Sequence, residues 1–223
     1  MTTPLAHRRP LLRLACVAAA SLALPALASS RRAVMPPMTD GPFYPPRAWR
    51  ERLTDWDADL TRVQRGGQVL TARGEALGLE LTVADTDGRL IDAAEVEIWQ
   101  CDALGAYRHP NVSADAAQMD AGFQGFGAAR SDVRGALRFR TIRPVNYPGR
   151  TPHIHVKVLH PAFGAWTSQL FVAGDPGNAR DFLWRQLDAE GQSALAMQLQ
   201  PGAANSGLRW QVQHTLVVPT KKV

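Results

Sequence analysis

Polar and apolar residues alternate with period two along much of this chain, the pattern of strands that bury one face. Leu77, Leu79, Leu81 and Val83 share a face, Asp85-Thr86-Asp87-Gly88 supplies a turn, and Val96-Glu97-Ile98-Trp99 resumes the alternation. Asp132-Val133-Arg134-Gly135 is a second turn, after which Leu137, Phe139 and Thr141 fall on one side. Further strands are predicted over 153–158 and 169–172, and a closing strand over 208–218. Residues 178–200 alone have a helical composition, enough for one or two short peripheral helices. Residues 33–46 are Pro-rich and predict an extended arm, while 47–67 carry charge and two tryptophans without a clear period. No internal repeat is present. Many short strands joined by turn residues predict an all-β fold, an antiparallel β-sandwich spanning 68–223 behind an N-terminal arm at 29–67.

Residues 1–28 read differently. His7-Arg8-Arg9-Pro10-Leu11-Leu12-Arg13-Leu14 precedes an Ala- and Leu-rich run and then Ala26-Leu27-Ala28, the charged, apolar and cleavage regions of an export signal. The paired arginines resemble a twin-arginine signal, and hence a periplasmic or secreted product. His7 and Leu11 depart from that pattern, so the general secretory route stays open, and an uncleaved membrane anchor is the competing reading. Removal of this segment takes three arginines and no acid, which lowers the formal charge from +5 to +2. A nearly neutral chain without basic, aromatic-rich runs argues against nucleic acid as a partner. Cys16 leaves with the leader, so Cys101 has no partner for an intramolecular disulfide and is expected to fill an apolar space.

The candidate chemistry lies in Tyr147-Pro148-Gly149-Arg150-Thr151-Pro152-His153-Ile154-His155. On a strand both imidazoles leave the same face, with Cα atoms roughly 6–7 Å apart, a span across which two ring nitrogens can reach one ion. Neutral imidazole suits zinc, copper, iron or nickel alike. A phenol narrows the choice, because an acidic ion such as Fe(III) is needed to ionise a group whose pKa lies near ~10. The chain holds three tyrosines, Tyr44, Tyr107 and Tyr147, each in a distinctive segment. His7, His109, His160 and His214 have no paired-ligand spacing and are expected to be surface or locally hydrogen-bonded groups.

Together these segments resemble the intradiol ring-cleavage dioxygenases, from about residue 41 to 175. The matching pieces are Trp99-Gln100 with Gly105-Ala106-Tyr107, Tyr147-Pro148, Arg150 through His155, and Gln169-Leu170-Phe171-Val172-Ala173-Gly174-Asp175-Pro176. The resemblance implies a β-sandwich and an Fe(III) ion held by Tyr107, Tyr147, His153 and His155. It further implies that Arg150 stabilises the anionic ring, that Gln169 orients it, and that Tyr147 accepts a substrate proton. The reaction implied is O2-dependent cleavage of a catechol between its hydroxylated carbons, giving a cis,cis-muconate. Five residues separate Tyr147 from His153, far fewer than in the cytoplasmic members, which implies an open pocket and leaves the preferred catechol unassigned, as is the oligomeric state. A non-catalytic β-sandwich binding module and a zinc hydrolase built on the His-x-His pair are the alternatives. The hydrolase needs a third histidine or a carboxylate as ligand.

Overall fold

A computed structural model describes residues 31–52, 55–112 and 118–220. The proposed leader lies outside the described residues. Chain order begins with a one-turn helix α1 (Arg47–Arg50) and a hairpin of β1 (Arg62–Arg65) and β2 (Gln68–Thr71). There follow β3 (Ala76–Asp85), β4 (Glu95–Trp99), β5 (Phe126–Arg130), β6 (Ala136–Ile142), β7 (His153–His160) and β8 (Gly164–Val172). The chain ends with α2 (Ala189–Leu195), β9 (Ala196–Met197), β10 (Gln200–Pro201) and β11 (Trp210–Val218). Two larger sheets result, one ordered β10-β11-β3-β6 and the other β5-β4-β7-β8-β9.

The turns form where the sequence predicts them, and for the expected reason. Asp132 Oδ1 accepts the N–H groups of Arg134 and Ala136, while Gly135 takes a φ of 66° that a side chain would resist. Pairing is mostly antiparallel, with two exceptions. The closing strand β11 inserts parallel to β3 and not at an edge, and the two-residue β9 runs parallel to β8. Period two alone carries no direction, so these parallel pairings are invisible to it. The 178–200 region splits into two 3-10 turns, the helix α2 capped by Asp188, and the short strands β9 and β10.

The predicted faces meet as the core. Leu77, Leu79, Leu81 and Val83 of β3 join Leu137 and Phe139 of β6 and the buried Val96, Ile98, Ile154, Val156, Val158 and Leu170 of the second sheet. Each fully buried aliphatic side chain contributes about 1.5–3 kcal/mol relative to exposure.

The opposite face of the second sheet is also covered. Trp99, Cys101, Tyr107 and Phe126 form a smaller buried cluster there, with Phe43, Tyr44, Trp56 and Tyr147 packed against it. Because of this cover, β7 is buried at four consecutive positions from His153 to Val156. The N-terminal arm supplies much of the cover and is tied down along its length. Trp166 Nε1 and Ser168 Oγ donate to the carbonyls of Met35 and Pro36, at 2.9 and 2.7 Å. Asp40 accepts from Lys157 at 2.7 Å and from Thr167 at 2.6 Å. Glu97, enclosed on β4, accepts from Tyr44 Oη and from Arg50, each at 2.6 Å. No helix among the described residues is long and apolar enough to cross a membrane.

Glu97→Ala removes the one carboxylate that holds both Tyr44 and the guanidinium of Arg50. A cost of about 3 kcal/mol is expected from breaking this largely buried pair, with faster proteolysis of the arm. Urea unfolding and limited digestion check both. A variant as stable and as resistant as the parent would show that the arm is held by its aromatic packing alone.

Candidate metal centre

β-sheet register assembles the centre. Trp99 of β4, His155 of β7 and Gln169 of β8 lie side by side in one row, and His153 stands opposite Phe171 one row on. Both histidines therefore project from the outer face of the five-stranded sheet, toward the arm. Tyr107 arrives on the loop after β4, which is bent by Asp102 accepting the N–H groups of Leu104 and Ala106. Tyr147 arrives on the β6–β7 connection, in a turn closed by Arg150 N donating to the Tyr147 carbonyl at 2.9 Å.

The four predicted donors meet. Tyr107 Oη lies 3.5 Å from His153 Nε2. Ring centroids are 4.9 Å apart for His153–His155, 5.6 Å for Tyr107–Tyr147 and for Tyr147–His153, and 6.2 Å for Tyr107–His155. Tyr107, His153 and His155 are each at most 4% exposed, whereas Tyr147 is only half-buried.

Burial sets the protonation states. It lowers His153 to about 4 and His155 well below the ordinary histidine value, with the Arg150 charge acting in the same direction on both. Both rings are therefore neutral at pH 7, as ligation requires. Burial also raises Tyr107 well above a free phenol, with Tyr147 adding to the effect. Tyr147 is raised by burial too, against the pull of the neighbouring guanidinium of Arg150.

Two hydrogen-bonding details fit an ion at this point. His153 Nδ1 lies 2.7 Å from the Thr151 carbonyl, which can only accept, so the proton belongs on Nδ1 and the Nε2 lone pair faces the tyrosines. The His155 ring makes no hydrogen bond to a described residue, and its enclosed Nδ1 is without a partner. A buried imidazole left in this state calls for a group outside the polypeptide. Two neutral nitrogens and two phenols suit a hard, strongly acidic cation. Among the described residues no three His, Cys, Asp or Glu side chains gather, so the ligand set of a zinc hydrolase is lacking.

Arg150 stands beside the donors. Its Nε donates to Asp181 Oδ2 at 2.8 Å and its Nη2 to Gln169 Oε1 at 2.6 Å, and the Phe182 ring lies 5.3 Å from Cζ. Burial would raise the Asp181 carboxyl, but the Thr151 N–H and the guanidinium outweigh it and hold it below the usual carboxylate range. Tyr147, Arg150, Arg180 and Asp181 line a cleft of about 550 Å³.

Two neighbours escape the sequence reading: Trp99 stacks on His155 at 4.7 Å and 12°, and Asp181 holds Arg150. Phe43, in the Pro-rich arm, stacks on Tyr107 at 4.4 Å. Trp99 sits two residues from the buried Glu97 on a recognisable strand, so its facing was open to prediction; its partner was not. The remaining described histidines are locally bonded, and His7 lies outside the described residues. His109 and His160 accept the N–H groups of Asn111 and Ala162 through Nδ1, and His214 Nε2 lies 3.0 Å from the Ala194 carbonyl.

The depressed imidazole values have a testable consequence for the metal-free protein. Folding disfavours the charged rings, so the stability due to neutral His153 is complete above about pH 6.5 and is lost as the pH falls through about 4. Thermal unfolding between pH 7 and 4 should show a steeper decline in the parent than in His153→Gln. Equal slopes would remove His153 from the acid transition.

Comparison with known proteins agrees with this geometry. A family model described as Dioxygenase matches residues 40–213. The chain is 35% identical over 147 residues to the protocatechuate 3,4-dioxygenase beta chain of Burkholderia cepacia, covering 62% of this chain and 61% of that one. It is 31% identical over 137 residues to the hydroxyquinol 1,2-dioxygenase of Corynebacterium glutamicum, covering 53% and 43%. The chain thus spans about half the length of the curated relatives it matches. Among solved structures, the dioxygenase domain of a carbohydrate-binding fusion protein from Streptomyces sp. SirexAA-E superposes with a TM-score of 0.61 at 25% identity, over 84% of this chain and 99% of that one. The catechol 1,2-dioxygenase of Acinetobacter radioresistens gives 0.62 at 20% identity, over 86% and 65%, a likeness of fold alone. With a family match across most of the sandwich, the chain belongs to the intradiol dioxygenase family.

Proposed function

We propose that this protein is a non-haem Fe(III) intradiol dioxygenase that cleaves a catechol-type ring with O2 between its two hydroxylated carbons, yielding a cis,cis-muconate. The observation that carries the reading is the convergence of Tyr107, Tyr147, His153 and His155 on one enclosed point beside Arg150. These four residues would hold the iron. The ion would supply Lewis acidity and a template for substrate and O2.

The chain's own groups divide the remaining work. A catechol has two protons to lose, and Tyr147, which would be a phenolate when it holds the ion, is the donor suited to receive one, since it is half-buried and lines the cleft. Arg150, beside Tyr147 and held at Nε and Nη2, would stabilise negative charge on the ring. Gln169 fixes the guanidinium from the side of β8 and helps to orient the ring. Phe43, stacked on Tyr107, keeps water from the enclosed side of the centre. The cleft of about 550 Å³ opens beside Tyr147 and Arg150 and gives a substrate access to that side of the centre. Export, with residues 1–28 as the signal and the twin-arginine route carrying a folded, iron-loaded chain, is part of the same proposal.

Purified protein should contain one iron and absorb in the visible through phenolate-to-iron charge transfer. Tyr107→Phe and Tyr147→Phe should each shift the band, and His153→Ala or His155→Ala should lose the iron. A colourless protein at full iron occupancy would refute the paired-phenolate site.

Arg150→Ala should keep iron and colour while oxygen uptake with catechol, protocatechuate or hydroxyquinol drops by about 10²–10³. Arg150→Lys should recover only part, because an ammonium cannot reproduce a planar fork. Uptake by Arg150→Ala at the parent rate would remove the arginine from the chemistry.

A further inference from the structure

Asp181 is fully enclosed, and both its oxygens are saturated by four donors. Oδ1 accepts from Leu183 N and Trp184 N at 3.0 and 3.1 Å, and so caps the turn that follows. Oδ2 accepts from Arg150 Nε at 2.8 Å and from Thr151 N at 3.0 Å. Capping alone does not call for a carboxylate, since Ser or Asn serves equally well. The second oxygen is what requires the charge: two N–H groups, one of them on a guanidinium, converge on it in a buried place.

We propose that Asp181 is a positioning residue that aligns two parts of the centre at once. Its first arm is the guanidinium. Held by Gln169 alone, a planar fork could rotate about one hydrogen bond; with Nε fixed on Asp181 and Nη2 on Gln169, its plane is determined and Nη1 is directed away from both. The second arm runs through the Thr151 backbone, from its N–H to its carbonyl. Asp181 takes the Thr151 N–H, and the Thr151 carbonyl accepts the His153 Nδ1 proton at 2.7 Å, which sets the ring orientation. Thr151 Oγ1, donating to Asn178 at 2.8 Å, braces the same residue. Gly177 leaves room for this packing, since a Cβ there would stand 2.8 Å from Thr151 Oγ1. One carboxylate 31 residues downstream of Arg150 therefore ties the arginine to a candidate iron ligand.

The first arm rests on the reading that Arg150 acts on a bound catechol; the second requires only that His153 binds iron. The test uses full-chain, iron-loaded protein as Asp181→Asn, Arg150→Ala and the double variant, with oxygen uptake expressed per bound iron so that a partly folded preparation still reports. Asp181→Asn should reduce turnover by about ten- to a hundredfold, the scale of a displaced catalytic group. Because Asp181 acts through Arg150, the double variant should be no slower than Arg150→Ala, within about twofold. Losses that multiply would overturn the first arm, as would parent-like turnover of Asp181→Asn. Asp181→Ser, which keeps the cap and discards the charge, repeats the measurement should the asparagine variant fold poorly.

Iron loss to a chelator reads the second arm without any turnover. Asp181→Asn should release iron about tenfold faster or more, as when a partner behind a ligating histidine is removed. Arg150→Ala should keep the parent's rate. Equal release from Asp181→Asn and the parent overturns the second arm. A parent that binds iron yet consumes no oxygen with any catechol defeats the proposed reaction, and the chelator result still judges Asp181.

Discussion

Two imidazoles held out of water beside a guanidinium are the constraint around which this molecule is arranged. Burial and the Arg150 charge outweigh the Asp181 carboxylate at His153, so both rings stay neutral and present lone pairs. The phenols of Tyr107 and Tyr147 face the same restriction with the opposite sign, since their anions are disfavoured by burial. All four donors are thus poised in uncharged forms. A cation acidic enough to displace two phenolic protons would satisfy them together, whereas a soft or weakly acidic ion would leave the phenols protonated.

That enclosure depends on covering a sheet face that a simple sandwich leaves to solvent. The arm does this, and its sequence explains how. Gly41 adopts a φ of 74°, and a Cβ there would lie 3.4 Å from His155 Cε1, so the backbone passes directly over the ring. Phe43 then stacks on Tyr107, and Tyr44 meets Trp99 edge-on. Anchors on either side, Asp40 to β7 and β8 and Glu97 to Tyr44 and Arg50, lie within the same sheet that carries the histidines. Disturbing the arm would therefore alter the dielectric around the donors before it altered the main core.

Much of this was legible in the chain. Strand alternation gave β3, β4, β6 and β7 with their inward faces, and the Asp-Gly turns followed from side-chain chemistry. The meeting of Tyr107, Tyr147, His153, His155, Arg150 and Gln169 in one place came from motif order; spacing alone supplied only the histidine pair. What stayed hidden were relations between distant segments. Nothing in the residues around Trp99 reveals that His155 stacks on it, because that depends on the β4–β7 register. Asp181 reads locally as an ordinary turn cap, and its hold on Arg150 exists only once the 178–187 segment folds back beside the β6–β7 turn. The direction of β11 was hidden for a related reason: a strand between two neighbours looks alike in either sense.

The donors are not equivalent, and the difference follows from where each is attached. His153 and His155 sit within β7, and Tyr107 is buried under Phe43, so moving any of them opens a packed layer. Tyr147 belongs to a tight turn at the cleft, two residues from Gly149, where an added Cβ would meet nothing within 4 Å. Swinging that phenol outward costs contacts with a few side chains and breaks no strand pairing. The charged Arg150 on the same turn remains held by Asp181 and Gln169 while it does so. Under the proposed function, a fixed guanidinium and a movable phenol on one four-residue turn would allow proton transfer and charge stabilisation at the same substrate without moving the strands that carry the histidines.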